Sequence, residues 1–267
     1  MDSIWLFFCF RKLVSAGAVC YNTVSLIVSL VVCHLEKGAD CMKQLLVLEG
    51  LDGSGKSTQT ALLRQALLDN DIPVKQIKLP DYDSPSSTLV QMYLNGAFGS
   101  DPNAVGAYAA SAFYAVDRYA SFQTVWKDAY ENGALILADR YATSNASYQM
   151  TKLPQEEWSG YLAWLEDFEY RKMGIPEPAL VIFLDMPVEV SQKLMTSRYQ
   201  GDESKKDVHE KDVSYLQHCR DAALFAAERQ GWVCISCAEN GQPKSIEAIA
   251  AEVRAVVRER LHLELSE

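Results

Sequence analysis

The stretch LLVLEGLDGSGKST, residues 45–58, constrains the fold more than any other part of the chain. Gly50-Leu51-Asp52-Gly53-Ser54-Gly55-Lys56-Ser57 fits the pattern G-x-x-x-x-G-K-[ST], and Thr58 follows. The pattern needs an apolar strand before it and a helix after it, and both neighbours have the right character. Its glycines let the backbone wrap an anion with amide hydrogens turned inward, at the positive end of the new helix. In such a loop Lys56 reaches the β- and γ-phosphates and Ser57 ligates Mg2+. Gly50, Gly53, Ser54, Gly55, Lys56, Ser57 and Thr58 are therefore the candidate residues for binding the nucleoside triphosphate. The loop implies a nucleoside triphosphate and leaves the phosphoryl acceptor open.

From residue 43 onward, short apolar runs alternate with longer amphipathic stretches. LLVLE, VKQIKL (74–79), ALILAD (134–139), LVIFLD (180–185) and WVCIS (232–236) read as strands. Helical patterns fall at about 56–70, 86–95, 104–131, 155–172, 187–198, 211–230 and 244–261. This alternation predicts an α/β chain of three layers, a doubly wound, five-stranded parallel sheet with helices on both faces. The run YQGDESKKDVHEKD (199–212) loses the apolar periodicity and reads either as a solvated loop or as a lid.

The formal net charge of −10 argues against a protein built to grip nucleic acid, which needs a basic surface. It leaves room for a small anionic ligand held by a few local cations. Seven cysteines with no regular framework read as reduced thiols of a cytoplasmic protein, and Cys234 and Cys237 as buried strand residues facing opposite sides. Residues 13–33 carry no charge and are long enough to span a bilayer, but Gly17, Asn22 and several serines make a poor span. Met42 stands directly before the first strand. The expectation is a working domain over 42–267, with residues 1–41 an extension that comes from an upstream start rather than a membrane anchor.

Two further places bear on the acceptor. ALILADR puts Asp139 at the carboxyl edge of the sheet, where it can bind Mg2+ or take a proton, with Arg140 beside it to grip phosphate. Tyr114 and Arg118 lie four apart on one helical face. A ring to stack on a base and a guanidinium to donate to its carbonyl would read a pyrimidine; the same spacing also describes core packing with a solvated charge, and the residues alone leave both open.

EGLDGSGKST, LPDYDSPSS, YAVDR, ADRYATSNASYQ and PEPALVIFLDMP, in that order, resemble the thymidylate kinases. The resemblance implies transfer of the γ-phosphoryl group of ATP, with Mg2+, to the 5′-phosphate of thymidine monophosphate. It implies acceptor contacts at Asp52, Pro80, Tyr82, Tyr114, Arg118, Arg140, Ser144, Tyr148 and Gln149, with Ser57 and Asp139 at the metal. It also implies a homodimer.

Two departures from the family pattern stand out. Many members have Phe-Pro-x-Arg where this chain reads Leu79-Pro80-Asp81-Tyr82, so a neutral phenol replaces a phosphate-gripping cation. The phosphate loop also lacks the arginine that some members carry. In members whose loop lacks that arginine, a lid supplies catalytic cations beside Lys56 and Arg140, and Arg198, Lys205 and Lys206 are the candidates here. The alternatives are another deoxynucleotide or deoxynucleoside kinase of the same fold, or a nucleotide switch. The nearest approach to the switch motif N-K-x-D is Ser204-Lys205-Lys206-Asp207, which lacks the asparagine.

Overall fold

The computed structural model describes residues 44–99, 101, 104–198 and 213–265, with residues 197 and 198 described by backbone alone. Five parallel strands form the sheet: β1 (Leu45–Glu49), β2 (Val74–Lys78), β3 (Leu135–Asp139), β4 (Leu180–Asp185) and β5 (Val233–Ser236), in the order β2-β3-β1-β4-β5. The doubly wound α/β expectation holds. The apolar runs are continuous because both faces are covered. Leu45 and Val47 of β1 point into one core with Ile136, Ala138, Val181 and Phe183. Leu46 and Leu48 point into the other with Leu135, Leu137, Ile182 and Leu184. Period-two alternation between two buried faces confines polar residues of the central strands to their carboxyl ends, at Glu49, Asp139 and Asp185. The outer strands β2 and β5 are correspondingly part-exposed.

The first core is closed by α3 (Ala107–Ser121), α6 (Trp158–Glu166) and α8 (Val213–Gln230), with Trp126, Trp158 and Tyr161 almost fully buried. The second is closed by α1 (Lys56–Asp69) and α9 (Ile246–Leu261) through Leu63, Leu67, Ile249, Val253 and Val257. Burying each large side chain of this kind contributes ~1.5–3 kcal/mol. Shorter helices α2 (Thr88–Leu94), α4 (Lys127–Glu131), α5 (Thr143–Tyr148) and α7 (Val188–Arg198) complete the layers. A two-stranded hairpin of β6 (Ala238–Glu239) and β7 (Gln242–Pro243) is an addition that the apolar pattern is too short to show.

The structure corrects several sequence expectations. The helix expected over 104–131 is interrupted by a π-helical turn at Phe122–Trp126 between α3 and α4. The one expected over 155–172 ends in a π-helical segment at Asp167–Lys172. Helix α5 was not expected, since TSNASY has no apolar stripe; it packs against α8. Cys234 is exposed on edge strand β5, whereas Cys237 is buried just beyond the strand, so the pair faces opposite sides but is not buried together.

No helix among the described residues is long and apolar enough to cross a membrane. The run 13–33 and the rest of the extension lie outside the described residues, as does the segment 199–212 expected to be a lid.

Candidate active site

The phosphate loop joins β1 to α1 at the carboxyl edge of the sheet. Gly53 (φ 78°) and Gly55 (φ 89°) take left-handed conformations that L side chains resist. A Cβ on Gly53 would meet Met195 Cγ at 3.0 Å and Ser191 O at 3.1 Å, so the loop is packed from behind. A Cβ on Gly55 would meet nothing within 4 Å. Open space over the amino terminus of α1 is what a bound phosphate needs. Lys56 Nζ donates to the carbonyls of Gly50 at 2.7 Å and Leu51 at 3.2 Å, which folds the ammonium over the loop. Burial and then the nearby Arg140 pull its pKa down to about 8, against the opposing pull of Asp52, Asp139 and Glu49. Ser54 Oγ is buried in the loop without a hydrogen-bond partner among the described residues.

Adjacent strands β1 and β3 bring the second element alongside. Ser57 Oγ donates to Asp139 Oδ2 at 3.1 Å. A hydroxyl and a carboxylate facing each other beside a phosphate cradle form a hard-oxygen set suited to Mg2+, which keeps waters and phosphate oxygens as its remaining ligands. Directly after β3, Arg140 adopts a positive φ of 72° and turns back across the loop. Its Nη2 donates to Asp52 Oδ1 at 2.7 Å and to Tyr148 Oη at 3.1 Å. Burial opposes the charge on Arg140, yet Tyr148, Asp52 and Glu49 hold its pKa well above the usual value. Burial likewise opposes ionisation of Asp52, but Arg140 and Lys56 outweigh it and lower the carboxyl pKa.

A cavity of about 310 Å³ opens in front of these groups. All nine residues expected at the acceptor line it: Asp52, Pro80, Tyr82, Tyr114, Arg118, Arg140, Ser144, Tyr148 and Gln149. Tyr82, where the family pattern has a cation, is half exposed at the rim. Tyr114 meets Tyr93 edge to face at 6.5 Å. Arg118 is buried and paired with the fully buried Glu169. The Ser144 hydroxyl is directed at the buried carboxylate of Glu49, 2.9 Å from each oxygen. Gln149 is buried, and its Oε1 has no partner among the described residues. Thr58, the third residue of α1, lies exposed next to Ser57. The side chain of Arg198 and all of Lys205 and Lys206 lie outside the described residues.

Sequence reasoning missed several lining residues: Lys78, Tyr93, Asn145 and Tyr215. It also missed Glu49, which accepts from Tyr141 N at 3.2 Å and Thr143 Oγ1 at 2.7 Å and so anchors the turn that carries Arg140. An acid closing an otherwise apolar strand was the signal used for Asp139, and the same signal was present at Glu49.

A doubly wound parallel sheet with a glycine-rich loop after its central strand, and an acid and arginine after the neighbouring one, defines a P-loop kinase. The thymidylate kinase family model matches residues 48–250, and the chain belongs to that family. It is 28% identical over 191 residues to a thymidylate kinase of Mycobacterium tuberculosis, covering 70% of this chain and 87% of that one. A thymidylate kinase of Nitrobacter hamburgensis is 29% identical over 218 residues, covering 82% and 89%. The solved structure of thymidylate kinase from Candida albicans shares the fold, with a TM-score of 0.60 at 22% identity, over 84% of this chain and 95% of that one.

Proposed function

We propose that the protein transfers the γ-phosphoryl group of ATP to the 5′-phosphate of thymidine monophosphate, giving ADP and thymidine diphosphate, the route toward thymidine triphosphate. Family membership carries the reading, and the cavity abutting the phosphate loop supports it. The acceptor oxygen is already anionic, so the reaction needs charge neutralisation and alignment more than a base. Lys56 and the amino terminus of α1 hold the donor, and Ser54 Oγ has a spare donor for a phosphate oxygen. Mg2+ bound by Ser57 and Asp139 would supply further neutralisation between the two nucleotides. Arg140 reaches from the end of β3 toward both phosphate groups, and Asp52 and Tyr148 fix its plane. Arg198, Lys205 and Lys206 are proposed as additional cations that the loop itself lacks.

Deeper in the cavity, Tyr114 provides a face for a pyrimidine ring and Arg118 a donor for a ring carbonyl. Gln149 Oε1 offers an acceptor for a ring N–H. A nucleoside kinase would need a base near a neutral hydroxyl. Asp52 lines the cavity and Asp81 does not, and Arg140 keeps the Asp52 carboxyl pKa low, which makes it a poor base. We further propose a cytoplasmic homodimer. In support, Tyr108, Val116 and Tyr119 expose an apolar strip of α3 turned away from Tyr114 and Arg118.

ADP release from purified protein with ATP and Mg2+ tests the reading against thymidine, its 5′-monophosphate and the deoxycytidine and deoxyguanosine monophosphates. Highest kcat/KM with thymidine monophosphate is expected. Turnover with thymidine alone would overturn the proposal. Light scattering after gel filtration tests the dimer.

A further inference from the structure

Glu169 is fully buried, carries a carboxylate, and is not among the residues lining the cavity. It lies in the π-helical segment Asp167–Lys172, where one extra residue per turn shifts the helical register. Its Oε2 accepts from Arg118 Nε at 2.9 Å and its Oε1 from Arg118 Nη2. Oε1 also accepts from Asn145 Nδ2 at 3.3 Å. The two residues it holds come from different helices, Arg118 from α3 and Asn145 from α5, and both line the cavity.

We infer that Glu169 is a positioning residue that sets acceptor-base selectivity by locking Arg118, and with it Asn145, against the back of the cavity. The inference rests on the thymidine monophosphate reading above.

A guanidinium has five N–H donors and no acceptor. The fork to Glu169 uses Nε–H and one Nη2–H, leaving two hydrogens on Nη1 and one on Nη2. The plane of the group is thereby fixed, and a fixed donor set accepts a carbonyl oxygen and rejects an amino group. Without Glu169 the buried guanidinium would lose the carboxylate that pairs it and fixes its plane. The carboxylate therefore keeps Arg118 committed to the base while Arg140, paired with Asp52, serves the phosphates. Asn145 is steadied further: its Nδ2 donates to Ser111 O at 3.4 Å, and its own carbonyl accepts from Tyr161 Oη at 3.3 Å.

Glu169→Gln replaces one acceptor of the fork with an amide N–H that opposes the guanidinium. The KM for thymidine monophosphate is expected to rise roughly tenfold or more, as displaced positioning groups do, and the preference over deoxycytidine monophosphate to shrink. The KM for ATP should change less than about twofold, since the donor site is untouched. In an Arg118→Met background, Glu169→Gln should add nothing further to the thymidine monophosphate KM. Glu169→Asp keeps the charge and retracts it by one methylene, so it tests the same split if the glutamine variant does not fold. Equal losses for ATP and thymidine monophosphate, additive effects in the cycle, or unchanged selectivity in both variants would each overturn the inference. A wild-type protein that turns over no thymidine monophosphate would instead remove the functional reading, and this inference with it.

Discussion

Arg140 and Asp52 lie 88 residues apart in the chain and meet at 2.7 Å across the mouth of the phosphate loop. The contact joins the turn after β3 to the loop after β1, and the Tyr148 hydroxyl closes it by accepting from the same guanidinium nitrogen at 3.1 Å. A cation held in this way is aligned before either nucleotide arrives, so little reorganisation is left for the reaction itself.

Replacing Arg140 by Met removes that alignment and a charge at the developing transition state. Losing one such donor typically costs ~2.7–4 kcal/mol, so kcat should fall at least about a hundredfold. Steady-state assays with both nucleotides saturating measure it directly. A loss under about tenfold would take Arg140 out of the phosphoryl-transfer machinery.

The free enzyme should lose ATP affinity as pH rises. Lys56 has a pKa of about 8, and only its ammonium form attracts the triphosphate. Between pH 7 and 9 the protonated fraction falls about tenfold, and the association constant for ATP should fall with it. Calorimetric titration across that range is the measurement, with Lys56→Arg as a pH-independent comparison. In Arg140→Met the midpoint should move upward, because a neighbouring positive charge is gone. For stability the sign is the reverse. A lysine whose folded pKa lies below its unfolded one costs stability while charged, and this cost diminishes as pH climbs from about 8 toward the ordinary lysine value.

Gly53 and Gly55 share a left-handed backbone but differ in what surrounds them. Alanine at either position should cost ~1–2 kcal/mol of backbone strain. Gly53→Ala adds contacts with Met195 and Ser191 and should lower Tm further than Gly55→Ala does. Gly55→Ala points its methyl into open space and should instead weaken ATP binding. Parallel calorimetry and ATP titrations of the two variants separate the effects.

Tyr82 is half exposed at the cavity rim. Tyr82→Arg should place a cation there and lower the KM for thymidine monophosphate by about tenfold, since a hydrogen bond to a charged group contributes ~1.5–3 kcal/mol. No change would show that the acceptor phosphate lies out of reach of this position.

Deoxyuridine monophosphate lacks one methyl group relative to the thymidine nucleotide. A missing methyl in an apolar pocket is worth ~1–3 kcal/mol, so kcat/KM should be about 10–200-fold lower rather than zero. Competition between the two acceptors, followed by product chromatography, gives the ratio.

The legible parts of this molecule are those whose causes are local. Leu45–Glu49 reads as a strand because every residue but the last is apolar, and it is buried on both faces as that pattern demands. The phosphate loop is written in consecutive residues, since glycines, lysine and serine must follow one another to fold around an anion. Tyr114 and Arg118 share a helical face whatever the helix packs against. The interruptions at Phe122–Trp126 and Asp167–Lys172 were not legible, because each is too short for its shift in the apolar stripe to stand out from the scatter of a real helix. Helix α5 was missed because TSNASY buries Thr143, Asn145 and Ser147, polar residues that no apolar stripe announces.

By itself, the sequence determined the succession of the five sheet strands, most of the helices between them and the place of the phosphate loop. Tertiary structure alone decided the charge pairing: Glu169 with Arg118, Asp52 with Arg140, and Glu49 with the hydroxyls of Thr143 and Ser144. Local patterns report what a residue prefers as a neighbour within a few positions. A buried charge must find its partner wherever the packed chain brings one, because leaving it unpaired away from water costs more than any local preference can offset.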